Sequence, residues 1–343
     1  MTSQNFIKYK VRSDDNLSSL AKRINISETD LKDFHNQNCG NLPKLWVNNL
    51  QGIEVVLIPT NFITEEEKQV HLRKLLPAEN YHPNFHLSQY SVEEIIEQTG
   101  KEDLKINYTT DLNFREIESR FVVDVAVKDY TKNGNIPDDK ISSLSLECMK
   151  SLYPISFQLS DNGKLESCYE HQITVEKFKS KRSEIEDFYI GEIAGKYLNT
   201  FEQNISDEDY FLKQIQSALI HQILFPNLIW FHKKSVWQDK FVIYPNSFPL
   251  EFECKTENQL QDDGILETVI SASLWENCSL RELIKGVRIE DENENDLLQI
   301  DISIHYFTSQ TTKKLLEVKS SVSIWFQDEL FQKHTLKLNT KLR

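Results

Sequence analysis

The chain has no uninterrupted apolar run of about eighteen residues, the length a membrane-spanning helix needs, and Met1 to Lys10 contain no apolar signal core. Synthesis in the cytoplasm is therefore expected, with no membrane span. Work in a cell-envelope assembly would require export by a route other than the general secretory pathway. Cysteine is sparse and scattered. Cys39, Cys148, Cys168, Cys254 and Cys278 form an odd set with no C-x-x-C pair, which excludes a disulfide framework and a structural zinc site and predicts reduced thiols. Positive charge is in deficit, with 39 Lys and Arg against 53 Asp and Glu, a formal net charge of −14. Nucleic acid and anionic membrane surfaces are thus disfavoured partners. H-E-x-x-H, G-x-S-x-G and Gly-rich phosphate loops are also missing. No catalytic residue, metal or cofactor is predicted.

What is present is length enough for two or three folding units, at 343 residues. The expected class is α+β. Residues 1–60 read strand, helix, helix, strand. Phe6, Tyr9 and Val11 open a strand, Leu17, Leu20, Ala21 and Ile24 recur at helical spacing, and Ser27 with Asp30 three residues on marks a second helix. Leu31 and Phe34 are expected to face the core, and Val55 to Ile58 form a closing strand that Pro59 ends. Residues 61–118 read as a helical connector, with one helix over Glu65 to Leu76 and a second capped by Ser91 and Glu94 and ended by Gly100.

Residues 119–343 change pattern. Phe121, Val123, Val125 and Val127 alternate with polar residues, and Ile155, Phe157 and Leu159 lead into the turn Asp161, Asn162, Gly163. Two central helices are expected, one carrying Ile190, Ile193, Tyr197, Leu198 and Phe201, the other Phe211, Ile215, Leu219 and Ile223 up to Pro226. Leu266 to Leu274, Leu298 to Tyr306, Leu316 to Phe326 and Leu330 to Leu338 then alternate with period two. The expectation is a large antiparallel, twisted sheet packed on the two helices. Trp230, Phe231, Trp237, Phe241 and Tyr244 are expected in the core. Pro83 separates His82 from His86, so they are not read as a metal pair, and acidic pairs such as Asp138 and Asp139 are read as solvated turns.

Tyr9, Val11, Asp15, Leu17, Leu20, Ala21, Ile26, Ser27, Leu31 and Asn36, followed by Leu50, Gly52, Ile58 and Pro59, resemble the LysM family over residues 8–60. That family opens Y-x-V-x-x-G-D-T-L-x-x-I-A and closes L-x-x-G-x-x-L-x-I-P. Asp14 stands where the family has glycine and Asn16 where it has threonine, the closing strand is one residue longer, and Gln37 to Asn48 is an insertion. The resemblance implies a βααβ module that binds N-acetylglucosamine-containing glycans, such as peptidoglycan, in a groove between two loops. Carried onto this chain, the first loop is Ser13, Asp14, Asp15 and Asn16, and the second is Asn49, Leu50, Gln51, Gly52 and Ile53.

The leading expectation is a non-catalytic binding and anchoring protein, its LysM-like module on glycan and its large domain on a protein partner. The alternative is a structural or cargo-adaptor subunit of a contractile, phage-tail-like or type VI-like injection system, since LysM modules without export signals occur in such baseplates. A sheet curled round an apolar ligand as a carrier, and a cell-wall hydrolase, are further alternatives.

Overall fold

The computed structural model describes residues 6–46, 50–60, 65–261, 263–289 and 297–340. The chain divides into two compact units, Met1–Lys74 and Leu75–Arg343.

In the first unit, β1 (Phe6–Lys10) and β2 (Val55–Pro59) pair antiparallel, from Phe6 opposite Pro59 to Lys10 opposite Val55. Helices α1 (Leu17–Arg23) and α2 (Glu28–Asn38) lie between them in the chain. Each helix starts where a side chain accepts otherwise orphaned N–H groups. Asn16 accepts from the Ser19 amide while the Ser19 hydroxyl accepts from the Asn16 amide, and the Ser27 hydroxyl accepts from Asp30. The helical stripe Leu17, Leu20, Ala21 and Ile24 packs with Leu31, Leu45, Leu50, Val56 and Ile58 into one core. Phe34, expected in that core, is only half-buried, and His35 is the fully buried residue of that turn. Leu57 N–H donates to its Nδ1 at 2.9 Å, which fixes the Nε2–H tautomer donating to the Pro43 carbonyl at 2.9 Å. Asn36 grips both backbone groups of Leu45, at 2.8 and 2.9 Å. Two polar side chains of α2 thus staple the described part of the insertion. Helix α3 (Glu65–Leu75) follows.

The second unit is built on an eleven-stranded sheet, antiparallel throughout. From the middle, β3 (Gln89–Gln98), β4 (Leu104–Ile117), β5 (Arg120–Lys132), β6 (Ile155–Leu159) and β7 (Leu165–Cys168) step out to one edge. Helix α4 (Lys140–Leu152) joins β5 to β6. Helices α5 (His171–Phe188), α6 (Glu192–Ser206), α7 (Glu208–Ser217) and α8 (Leu219–Leu224) then carry the chain to β8 (Trp237–Phe241) at the opposite edge. Strands β9 (Leu250–Leu260), β10 (Ile265–Leu274), β11 (Leu298–Ser309), β12 (Leu315–Phe326) and β13 (Glu329–Asn339) step back until β13 pairs with β3. The sheet curls enough for its edges to be bridged. Lys164, in the β6–β7 turn, lies 3.7 Å from Asp239 of β8, and Leu228 N–H donates to the Asn162 carbonyl at 2.9 Å. Gly163 makes this approach possible, because it has φ +94° and a Cβ there would lie 3.3 Å from the Pro226 carbonyl oxygen.

One face of the strands is buried. In β11, Leu298, Ile300, Ile302, Ile304 and Tyr306 are buried while Gln299 is exposed and Asp301, Ser303 and His305 are half-buried, the alternation of an antiparallel sheet with one core face. Trp230, Phe231, Trp237 and Phe241 are core. Across the chain, His86 is buried between rings, stacked on Phe114 at 5.3 Å, donating to the Leu224 carbonyl and accepting from the Tyr81 hydroxyl at 3.0 Å.

Three expectations are corrected. The helical connector 61–118 holds for Glu65–Leu75 alone, since Gln89–Gln98 and Leu104–Ile117 are strands of the large sheet. Ser91 and Glu94 match a helix-start signature, but Tyr90 and Val92 also alternate, and pairing with β13 and β4 decides. The two central helices are five: α4 and α5 join them, and the segment Phe211 to Ile223 breaks at Ala218, which has an extended backbone, φ −68° and ψ 130°. Ile190 and Ile193, expected to pack inward, are 89 % and 73 % exposed.

Candidate functional sites

The register of β1 against β2 sets two turns of the first unit side by side. Val11, just beyond β1, donates to the Glu54 carbonyl at 3.0 Å, so the turn after β1 and the turn before β2 emerge at the same end of the ribbon. The first turn closes with Asp15 N–H on the Arg12 carbonyl at 3.1 Å. Asp14 has no positive φ, so the turn needs no glycine there. The second closes with Ile53 N–H on the Leu50 carbonyl at 3.0 Å and places Gly52 at φ +84°, the geometry a type II turn reserves for glycine.

Within these turns the predicted residues separate by role. Ser13, Asp14, Gln51 and Gly52 are exposed and Ile53 is half-buried. Asp15 is turned inward, where it accepts from the Arg12 amide, the Tyr9 hydroxyl and the Arg23 guanidinium at 2.9, 2.8 and 3.0 Å. The Arg12 amide, then Tyr9, hold its carboxyl below the usual carboxylate range. Asn16 is exposed but its side-chain oxygen Oδ1 caps α1 by accepting from the Ser19 amide. Leu50, predicted as a groove contact, is 2 % exposed and belongs to the core, because a leucine beside a two-strand ribbon gains more from burial than from meeting a polar ligand. Asn49 lies outside the described residues. Trp46, on the insertion, is 72 % exposed, with Lys44 Nζ 5.8 Å from its ring centre.

The second unit holds a cavity of about 570 Å³ between the inner face of β3 to β5 and helices α4, α6 and α8. Its apolar wall includes Leu104, Ile106, Val127, Leu146, Met149 and Leu224. Glu94 lines it too, accepting from Tyr108 at 2.5 Å and from His334 Nε2 at 2.8 Å. Burial raises the Glu94 pKa, but His334, by hydrogen bond and by charge, and then Tyr108 outweigh it, so the carboxyl ends below its ordinary value. Burial, and then Glu94, push the Tyr108 phenol well up. His221 also lines the cavity, gives its Nδ1–H to the Ile215 carbonyl at 2.9 Å, and is driven by burial below the ordinary imidazole value. Sequence reasoning passed over this group because Glu94 matched a helix cap. The available signal was His334, an imidazole in step with Leu336 and Leu338 on a buried strand face, which requires a polar partner.

Phe188, Ile190 and Ile193 project together where α5 gives way to α6, and Phe188 is 78 % exposed. Among the described residues no cluster of three His, Cys, Asp or Glu has metal-binding geometry, and all five cysteines are buried free thiols.

No protein-family model and no curated protein matches the chain. Among solved structures it is similar to lipovitellin, in a structure described for its lipid–protein interactions, with TM-score 0.33 and 9 % identity over 73 % of this chain. The chain spans 24 % of that lipovitellin chain. It is also aligned with a protein of unknown function of the DUF3598 family from Nostoc punctiforme, with TM-score 0.11, 6 % identity, and 74 % of this chain and 95 % of that one covered. Likenesses at these scores carry no argument about function.

Proposed function

We propose that the protein is a non-catalytic anchoring protein whose amino-terminal LysM-like module binds an N-acetylglucosamine-type glycan such as peptidoglycan, while the large unit contacts a protein partner. One observation carries this reading: the turns at residues 12–15 and 50–53 lie side by side and present Ser13, Asp14, Gln51 and Gly52 to solvent. Short polar side chains and exposed turn backbone suit a ligand recognised through many modest hydrogen bonds to hydroxyl and acetamido groups. The exposed apolar corner Phe188, Ile190 and Ile193 supports the partner-binding half. Co-sedimentation with purified sacculi tests it. The wild-type chain pellets, the double variant Asp14→Ala, Gln51→Ala is retained at least about fivefold less, as expected from losing two exposed hydrogen-bonding side chains, and no retention of the wild type overturns the reading.

A second reading, the adaptor subunit of a contractile injection system, is favoured by a different observation. Asp15, Asn16 and Leu50 are occupied inside the module, which narrows its sugar-facing surface, and exposed Trp46 is a side chain of the kind that anchors protein interfaces. Genes for tube, sheath, spike or toxin proteins are expected beside this one, and purely metabolic neighbours overturn it.

A further inference from the structure

We infer that the cavity between β3 to β5 and helices α4, α6 and α8 is a binding site for a long-chain alcohol, a molecule with an extended apolar body and a single hydroxyl head. The inference is independent of the glycan reading, which concerns the other unit.

Size and lining come first. The space of about 570 Å³ walled by Leu104, Ile106, Val127, Leu146 and Met149 is a partly open pocket, in the size range that receives small molecules. The wall fixes the body of the ligand as apolar.

The head is set by Glu94. Its two oxygens each accept one bond within the protein, from Tyr108 and from His334. A carboxylate has about four acceptor positions, so each oxygen retains one for a donor from the cavity. Tyr130, Tyr153 and Tyr197 also line the space. Phenols both donate and accept, as an alcohol does.

Charge then discriminates among heads. A fatty acid would set a second carboxylate against Glu94, and among the described residues each lysine lining the space already has an acidic partner. Lys128 is paired with Asp111 at 2.5 Å, Lys132 with Asp139 at 3.5 Å and Lys150 with Glu147 at 2.7 Å. An ammonium would have to be fully desolvated beside a carboxylate whose charge His334 and Tyr108 already share. A hydroxyl sheds far less hydration and still gains a charge-assisted bond.

The test uses the full-length protein and the fluorescent probe 1-aminoanthracene, with 1-dodecanol, dodecanoate and dodecylamine as competitors. The wild type is expected to bind the probe saturably, and 1-dodecanol to displace it at a concentration about tenfold below the other two. Met149→Trp, which narrows the cavity, weakens probe binding at least about fivefold with an unchanged circular dichroism spectrum, and Leu146→Phe gives a smaller loss if that variant does not fold. Glu94→Gln keeps the probe but cuts the preference for the alcohol about tenfold, the difference between a charge-assisted and a neutral hydrogen bond. A folded wild type that leaves the probe dark, or folded narrowed variants that bind it with wild-type affinity, overturns the site. Equal or better displacement by dodecanoate or dodecylamine, or a preference that survives Glu94→Gln, overturns the alcohol.

Discussion

The buried histidine of the first unit bonds to partners eight and twenty-two residues away, Pro43 and Leu57, while that of the second reaches Leu224 across 138 residues. In the small unit, His35 and Asn36 do by side-chain bonds what a longer sheet would do by backbone pairing. They hold a loop and the second strand against one helix. In the large unit eleven strands already satisfy the backbone, and His86 locks a helix end into an aromatic core. A unit with a small core concentrates its stability in a few polar staples, whereas a large one spreads it over register and packing.

Breaking a staple should have the largest effect. His35→Ala leaves the Leu57 N–H and the Pro43 carbonyl without their partner, at a cost of about 4 kcal/mol if each orphaned group costs about 2. That is most of the stability of a small unit. Calorimetry of the full chain should then lose its first-unit transition while the sheet-unit transition stays within about 2 °C, and a shift of both transitions together would break the comparison.

The sheet unit should instead respond to acid. Burial pushes the His86 imidazole down to about 4, against a smaller opposing pull from the Leu224 carbonyl. Unfolded, it titrates near 6.5. Between those values the unfolded chain takes up a proton that the folded one refuses, so this contribution is complete above about pH 6.5 and falls by about 3 kcal/mol toward pH 4. His221, also lowered by burial, acts in the same direction. Urea midpoints of the sheet-unit transition at pH 7, 5.5 and 4.5 are expected to drop in turn, and His86→Phe to flatten the slope by more than half. An unchanged slope in that variant assigns the acid response to other groups.

The smallest effect sharpens the contrast. Tyr306 is fully buried and its hydroxyl has no hydrogen-bond partner among the described residues, so Tyr306→Phe should be neutral or stabilising by up to about 1 kcal/mol. A thermal melt showing any loss larger than about 1 kcal/mol refutes the account that Tyr306 contributes by packing and not by its hydroxyl.

Where side-chain periodicity and local capping agree, the fold was legible. Leu17, Leu20, Ala21 and Ile24 form the buried stripe of α1, Ser27 caps α2, and Leu298 to Tyr306 alternate across β11. Where local and distant signals compete, it was not. Ser91, Glu94 and Gly100 carry a helix's punctuation, yet β3 is held by partners in β13 some 240 residues later. Helix α5 escaped notice because Val175, Phe178 and Ile185 make a thin apolar stripe among charges. Of the candidate site, the two turns were legible only through the family resemblance, as the segments that flank the two strands. The internal commitment of Asp15, Asn16 and Leu50 was not, since which way a short polar side chain turns depends on neighbours such as Arg23 and Ser19.

By itself the sequence determined which stretches have an apolar face and where turns interrupt them, because those patterns follow from the 3.6-residue and two-residue periods of helix and strand. Only the tertiary structure decided that Glu94 and Tyr108 meet at one cavity with His334 bonded to Glu94. They come together because the first and last strands of the sheet unit pair at its centre, and strand pairing over such a separation is selected by packing across the whole sheet.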